Sequence, residues 1–418
     1  MDYQLKYGKN NLSICLDDNS DVTVVNPKDS SALKDPKAAL IQEILSPIGT
    51  CSLKEMIPKG DRIGIILNDI TRATPSEMIL SAILTVLSEV PTDRITLFVG
   101  TGTHRKNTDS ELREMFGSAI TESFRIIQND SADESTQVFL GKTSFGHEIW
   151  LNRELVNCGL VVLTGFIEPH FFAGFSGGGK AIMPGMAGNR TIFANHGAEM
   201  IANPHSVWGI TSGNPIYEEI LEIAEKIERS FLVNVAMNSK HEINGVFCGE
   251  IRHAHQAGCD FVKQNVMVPV PKQFDIVIGT NSGYPLDLNL YQTVKGISAA
   301  ARIVKDGGTI LIASECSDGI PEEGMFKTLL KETNSPQAFF DKLREPEFLV
   351  QDQWQVQILM QILQKAKVCL YSDRLSDEQI RACHLIPIHS IEEFCRKEGK
   401  GKSICIMPEG PLTIPYLT

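Results

Sequence analysis

Short apolar runs alternate with amphipathic stretches along most of the 418-residue chain. "RIGIILND" (62–69) is an unbroken apolar run of the kind a buried parallel strand shows. "TPSEMILSAILTVLSEV" (74–90) follows with helical apolar spacing and Thr or Ser near its start. "RITLFVGTGTHR" (94–105) leads in turn into "TDSELREMFGS", where Thr108 or Ser110 can cap a helix with acidic residues in its first turn. "LVVLTGF" (160–166) enters a glycine-rich stretch, and "SFLVNVAMN" (230–238) reads as a further buried strand. Prolines in "VMVPVPKQ" (266–273) break the pattern, which resumes as a strand ending in a turn (274–285), a helix (291–304) and a further strand and loop (307–319). This alternation predicts an α/β protein of two domains, residues 1–267 and 268–418, each with a mostly parallel sheet flanked by helices. Ligands of such sheets sit where strands end in loops at their carboxyl edge, and with two domains the expected active site is the inter-domain cleft.

Composition narrows the classes. A hydrophobic fraction of 42%, a charged fraction of 22% and a mean hydropathy of −0.05 describe a water-soluble globular protein. The net charge of −12 argues against nucleic acid as a partner, because phosphate backbones need a basic face. The N-terminus lacks the basic-then-apolar pattern of a secretory signal, and no apolar run is long enough to cross a membrane. The ten cysteines are scattered, with no C-x-x-C pair, and are expected as reduced thiols in a cytoplasm.

"PHFFAGFSGGGKAIMPG" (169–185) contains G-x-x-x-x-G-K, the spacing of a phosphate-cradling P-loop. The position after Lys180 is Ala181, so the hydroxyl that a P-loop uses for Mg²⁺ is missing. Pro184 and Gly185 also cut short any helix starting at the lysine. An NTPase is therefore the weaker alternative. The triple glycine Gly177–Gly179 is expected to let another molecule approach Lys180 closely.

Three of the ten histidines stand at the ends of α/β units near that lysine: His104 in "GTGTHR", His170 in "EPHFF" and His196 in "NRTIFANHG". A lone loop histidine is more often structural than catalytic, but three beside a glycine-loop lysine are not that pattern. His147, His241, His253, His255, His384 and His389 read as solvent-facing, and His205 stays undecided.

With "NDITRATP", "GTGTHR", "EPHFFAGFSGGGKAIMPG", "NRTIFANHG" and "YQTVKG" in this order, the chain resembles the nickel-pincer-dependent lactate racemase family over nearly its whole length. The resemblance implies a cofactor, nickel held by a modified pyridinium mononucleotide (the nickel-pincer nucleotide), tethered covalently to Lys180, with His196 as the protein's nickel ligand. Three donors from an organic pincer leave one square-planar position for an imidazole, which makes a single protein ligand sufficient. It further implies a racemase or epimerase inverting C2 of a short 2-hydroxy acid, lactate by default. The C2 hydrogen leaves reversibly as hydride while His104 and His170 act as the acid/base pair.

By the same resemblance Arg72, Gln292 and Lys295 hold the substrate carboxylate, with Tyr291 beside them, and Asp69, Thr71, Gly177, Gly178 and Trp354 serve the cofactor. Gln292 and Lys295 share a helix face, which an ordinary solvated face would also explain, and an aromatic such as Tyr291 or Trp354 is more often core. Phe171, Phe172 and Tyr284 are candidates for shaping the pocket. Gly179 departs from the larger, often basic residue expected there. Malate, a phenyl-substituted lactate or a sugar acid stay open as substrates, and enzymes that mature the cofactor are expected partners.

Overall fold

A computed structural model describes residues 1–16, 21–28, 30–345 and 348–418. It divides into two compact units, one of Asp29–His196 with Asn203–Gln264, the other of Met1–Lys28, Gly197–Ala202 and Asn265–Thr418. Both are α/β, as the alternation predicts.

The unit that carries Lys180 is built on a six-stranded sheet. Its strands are β1 (Ile63–Asn68), β2 (Ile95–Gly100), β3 (Arg125–Gln128), β4 (Leu160–Phe166), β5 (Ser230–Met237) and β6 (Ile243–Gly249), in the order β6-β5-β4-β1-β2-β3. All neighbours are parallel except β5 and β6. β1, β2 and β4 are buried on both faces, which is why they read as unbroken apolar runs instead of alternating ones. Helix α1 (Ser76–Val86) buries Ile79, Leu80 and Ile83 in the same core as Ile65, Leu97 and Val162. At about 1.5–3 kcal/mol for each fully buried Ile or Leu, this packing holds the strand ends in place. The helix Asp109–Phe116 starts at Thr108, whose side chain accepts from the Glu111 N–H while Glu111 reaches back. Helices α2 (Asn189–Asn195), α3 (Pro215–Ala224) and α4 (Ile251–Val266) complete the elements that matter for the site.

The other unit is built on a six-stranded parallel sheet. Its strands are β7 (Phe274–Thr280), β8 (Val304–Ala313), β9 (Lys367–Tyr371), β10 (Ile386–Ile388), β11 (Ser403–Met407) and, at the edge beside β11, Asp21–Val24 from the start of the chain. Helix α5 (Leu290–Ala301) begins at Asn289, whose side chain accepts from the Gln292 N–H. Gly296 lets α5 press onto the end of β7: a Cβ there would lie 2.5 Å from the Thr280 carbonyl oxygen. Helix α6 (Gln353–Lys365) packs against α5.

All ten cysteines are free thiols. Among the described residues, no helix is long and apolar enough to cross a membrane.

Candidate active site

The carboxyl ends of β1 and β2 build the first part of the site. Asp69 follows β1 directly and is 4% exposed; His104 ends the turn after β2, closed by His104 N–H on the Thr101 carbonyl (3.0 Å). His104 Nδ1 lies 2.7 Å from Asp69 Oδ2, and the Thr71 hydroxyl donates to Asp69 Oδ1 at 2.8 Å. Burial alone would push the Asp69 carboxyl up, but the hydrogen bond and charge of His104, the charge of Arg72 and the Thr71 hydroxyl outweigh it and hold Asp69 below its ordinary value. An ionised Asp69 can only accept, so His104 carries a proton at Nδ1, and the neutral form of the ring has its lone pair on Nε2. The His104 side chain is 44% exposed, so that lone pair can meet a substrate. The Arg72 backbone is tied to Asp69 (N–H to carbonyl, 3.2 Å), and its side chain is exposed.

His170 sits on a two-stranded hairpin, Pro169–His170 against Gly174–Phe175. Its Nδ1 accepts from the Ala173 N–H at 3.2 Å. Backbone N–H groups only donate, so the neutral ring carries its proton at Nε2, the reverse of His104.

Phe172 is the element that brings the remaining groups together. Its ring, 3% exposed, meets the ring of His170 edge-on at 4.5 Å and that of His196 edge-on at 4.9 Å, and Lys180 Nζ lies 5.7 Å from its centre. Positive ring edges and a cation over the face are arrangements that the aromatic quadrupole favours. Buried Asn214, the cap of α3, fixes the Phe172 backbone by donating to its carbonyl at 2.9 Å. Phe171 packs on Trp208 at 5.9 Å behind it.

His196 closes α2 and is 5% exposed. Burial, then the positive charge of Lys180, pushes its imidazole down to about 3, so it is neutral at any working pH. The preceding residue, Asn195, donates to the fully buried Glu219 carboxylate at 2.9 Å, which also accepts from Thr143 and pairs with His147 Nδ1 at 2.9 Å. Lys180 lies in a single 3₁₀ turn, Gly178–Ala181, and Gly185 donates to its carbonyl. The loop after it meets the end of β2, with Gly102 N–H on the Gly185 carbonyl at 3.1 Å.

The glycines of the loop have a reason the sequence does not supply. A Cβ on Gly178 would stand 2.7 Å from the ring of His255, and one on Gly177 would stand 2.6 Å from Asn234 Oδ1. Gly179 would press on Ile220 and Ala224. Their bare faces turn toward the protein's own side chains. His255, expected at the surface, is 3% exposed beneath this loop, and His147 is tied to Glu219.

In the other unit, Tyr291, Gln292 and Lys295 lie on α5, all half-buried. Gln355 of α6 donates to the Tyr291 carbonyl at 2.5 Å, and Phe326 packs edge-on against the Tyr291 ring. Trp354 is almost wholly buried, and Tyr284 is exposed with Lys9 over its ring. Among the described residues, no three His, Cys, Asp or Glu side chains cluster as a metal site.

Family models named Lactate racemase N-terminal domain and Lactate racemase C-terminal domain match residues 7–209 and 270–414. This chain belongs to the lactate racemase family. It is 35% identical to the lactate racemase of Thermoanaerobacterium thermosaccharolyticum over 416 residues, 97% of each chain. It is 36% identical to that of Lactiplantibacillus plantarum over 372 residues, 87% of each. The structure of the T. thermosaccharolyticum lactate racemase apoprotein superposes with a TM-score of 0.91 at 34% identity, covering 99% of this chain and 100% of that one. A Thermotoga maritima protein, 17% identical, shares the fold with a TM-score of 0.69 over 94% of this chain and 100% of its own. Racemases are isomerases, and this family member is one.

Phe172 was expected only to shape the pocket, whereas Asn214, Glu219, Asn234 and His255 were not legible as site residues. Only Asn214, followed by Pro215 at a helix start, carries a local signal, and that signal concerns its capping role.

Proposed function

We propose that this family member interconverts the enantiomers of lactate, with the nickel-pincer nucleotide attached to Lys180 and His196 as the protein's nickel ligand. The observation that carries the reading is the gathering of His170, His196 and Lys180 around one phenylalanine ring, in the same unit as the Asp69–His104 pair. The donor chemistry fits the group: His196 is a buried imidazole that stays unprotonated, and a metal needs that lone pair. When bound, the nucleotide supplies a reversible two-electron sink for the C2 hydrogen.

The chain's own residues handle the proton. His104 takes the substrate hydroxyl proton at Nε2, and the Asp69 carboxylate stabilises the charge that this puts on the ring. His170, with Nδ1 occupied by backbone N–H, offers Nε2–H to the oxygen on the other side. A lone pair and an N–H donor are the two functions needed to remove a hydroxyl proton on one side and hold the oxygen on the other. Arg72, on the Asp69 loop, is proposed to grip the carboxylate, as are Tyr291, Gln292 and Lys295 on α5. Asp69 and Thr71 hold the His104 end of the site, while Gly177, Gly178 and Trp354 are proposed beside the cofactor. Maturation enzymes are its proposed partners and the cytoplasm its proposed compartment.

The test is loss of optical purity in a panel of enantiopure lactate, malate, phenyllactate and a sugar acid, using protein loaded by the maturation enzymes. Lactate should lose its rotation fastest. Faster turnover of another acid would replace the substrate, and inactivity on all four would reject the activity.

A further inference from the structure

The loop that bears Lys180 rests on a buried histidine with no part in the chemistry above. His255, on α4, has Nε2 2.8 Å from the Ser176 carbonyl oxygen. A carbonyl only accepts, so the proton is on Nε2 and the lone pair on Nδ1. There the Tyr217 hydroxyl, 3.1 Å away on α3, donates. Burial raises that hydroxyl well above its ordinary value, which keeps it a donor, and burial pushes His255 down to about 4, which keeps it neutral. The phenol ring stacks on the imidazole at 5.8 Å and 17°, and Cys259 Sγ lies 3.7 Å from Nδ1. The imidazole also fills the space that a Cβ on Gly178 would take. Asn234, fully buried on β5, accepts from the Gly178 N–H at 2.8 Å. Ser176 and Gly178 are thus clamped through a carbonyl and an N–H, and the turn from Gly177 (Lys180 N–H to Gly177 carbonyl, 3.1 Å) starts between the two clamps.

We propose that His255 is a positioning residue for Lys180, setting the loop backbone from beneath so that the amine stands where the nucleotide is attached. This rests on the reading of Lys180 as the attachment point. A reacting group displaced by about 1 Å loses on the order of a hundredfold in rate, and a loop with three consecutive glycines has no side-chain packing of its own to resist such a shift.

The test compares wild type, His255→Phe and His255→Gln, each incubated as full chain with the maturation enzymes and followed by intact mass over time. His255→Phe keeps a ring but cannot donate, so its Lys180 adduct should form at least about tenfold more slowly. Gln can donate to the Ser176 carbonyl and should recover most of that loss. Ile83→Val, a mild destabilisation in α1, serves as control and should load at the wild-type rate. Equal loading by wild type and His255→Phe would overturn the proposal, and so would an equal loss in Ile83→Val. Should wild type itself acquire no adduct, the attachment reading falls, and amide exchange of residues 176–180 in the apoprotein decides for His255 alone. Faster exchange in His255→Phe supports the clamp, and unchanged exchange overturns it. If His255→Phe does not fold, Tyr217→Phe, which removes only the donor to Nδ1, takes its place with the same readouts.

Discussion

Acid should unfold the unit that carries Lys180 through two imidazoles buried without charge. Unfolded histidine titrates near 6.5, whereas His196 is pushed down to about 3 and His255 to about 4, in both cases chiefly by burial. Between pH 6.5 and about 4 the unfolded chain therefore binds more protons than the folded one, and stability falls as pH falls through that window. Above 6.5 the contribution is fully present. Both folded values lie below pH 5, so at that pH each ring's loss is set by the roughly one and a half pH units below the unfolded value, which at about 1.4 kcal/mol per unit amounts to about 2 kcal/mol. The pair then costs about 4 kcal/mol, a large share of the roughly 5–15 kcal/mol that folded proteins have in hand. Urea unfolding of the apoprotein at pH 7.5 and pH 5 measures this, with Trp150 and Trp208 reporting from the unit concerned. Carboxylates and exposed histidines add their own slope, so the decisive quantity is a difference between proteins. The loss between the two pH values should be about 2 kcal/mol smaller in His255→Gln than in wild type. Losses equal within about 0.5 kcal/mol would refute the claim that this ring is held neutral by burial.

Three further outcomes follow from the site. Asp69→Ala leaves His104 without the acceptor that sets its tautomer, and kcat on lactate should drop at least about a hundredfold with KM little changed; a drop under threefold would remove His104 from the proposed role. Gly178→Ala places a Cβ at φ +56 and 2.7 Å from the His255 ring, and urea unfolding should register a loss of about 2–4 kcal/mol. Arg72→Lys keeps the charge but loses the two-pronged grip on a carboxylate, so KM should rise about tenfold while kcat changes less.

The order of elements was legible because the strands of a covered parallel sheet must be apolar on both faces, and β1, β2 and β4 announce themselves as such. The loops after β1 and β2 were legible too, since reactive side chains concentrated just past apolar runs mark a carboxyl-edge site. His255 was misread for a related reason. It lies on a helix rich in polar residues, and one apolar face of α4 is enough to bury it.

The sequence alone determined the chemical types available: which residues can accept, donate or carry charge, and the short range over which backbone turns place them. That information is local, because strand periodicity and turn chemistry act over a few residues. Tertiary structure alone decided the protonation states and the neighbours. Asp69 and His104 are 35 positions apart, Gly178 and His255 still further, and only folding supplies the contacts and the loss of water that fix where each proton sits.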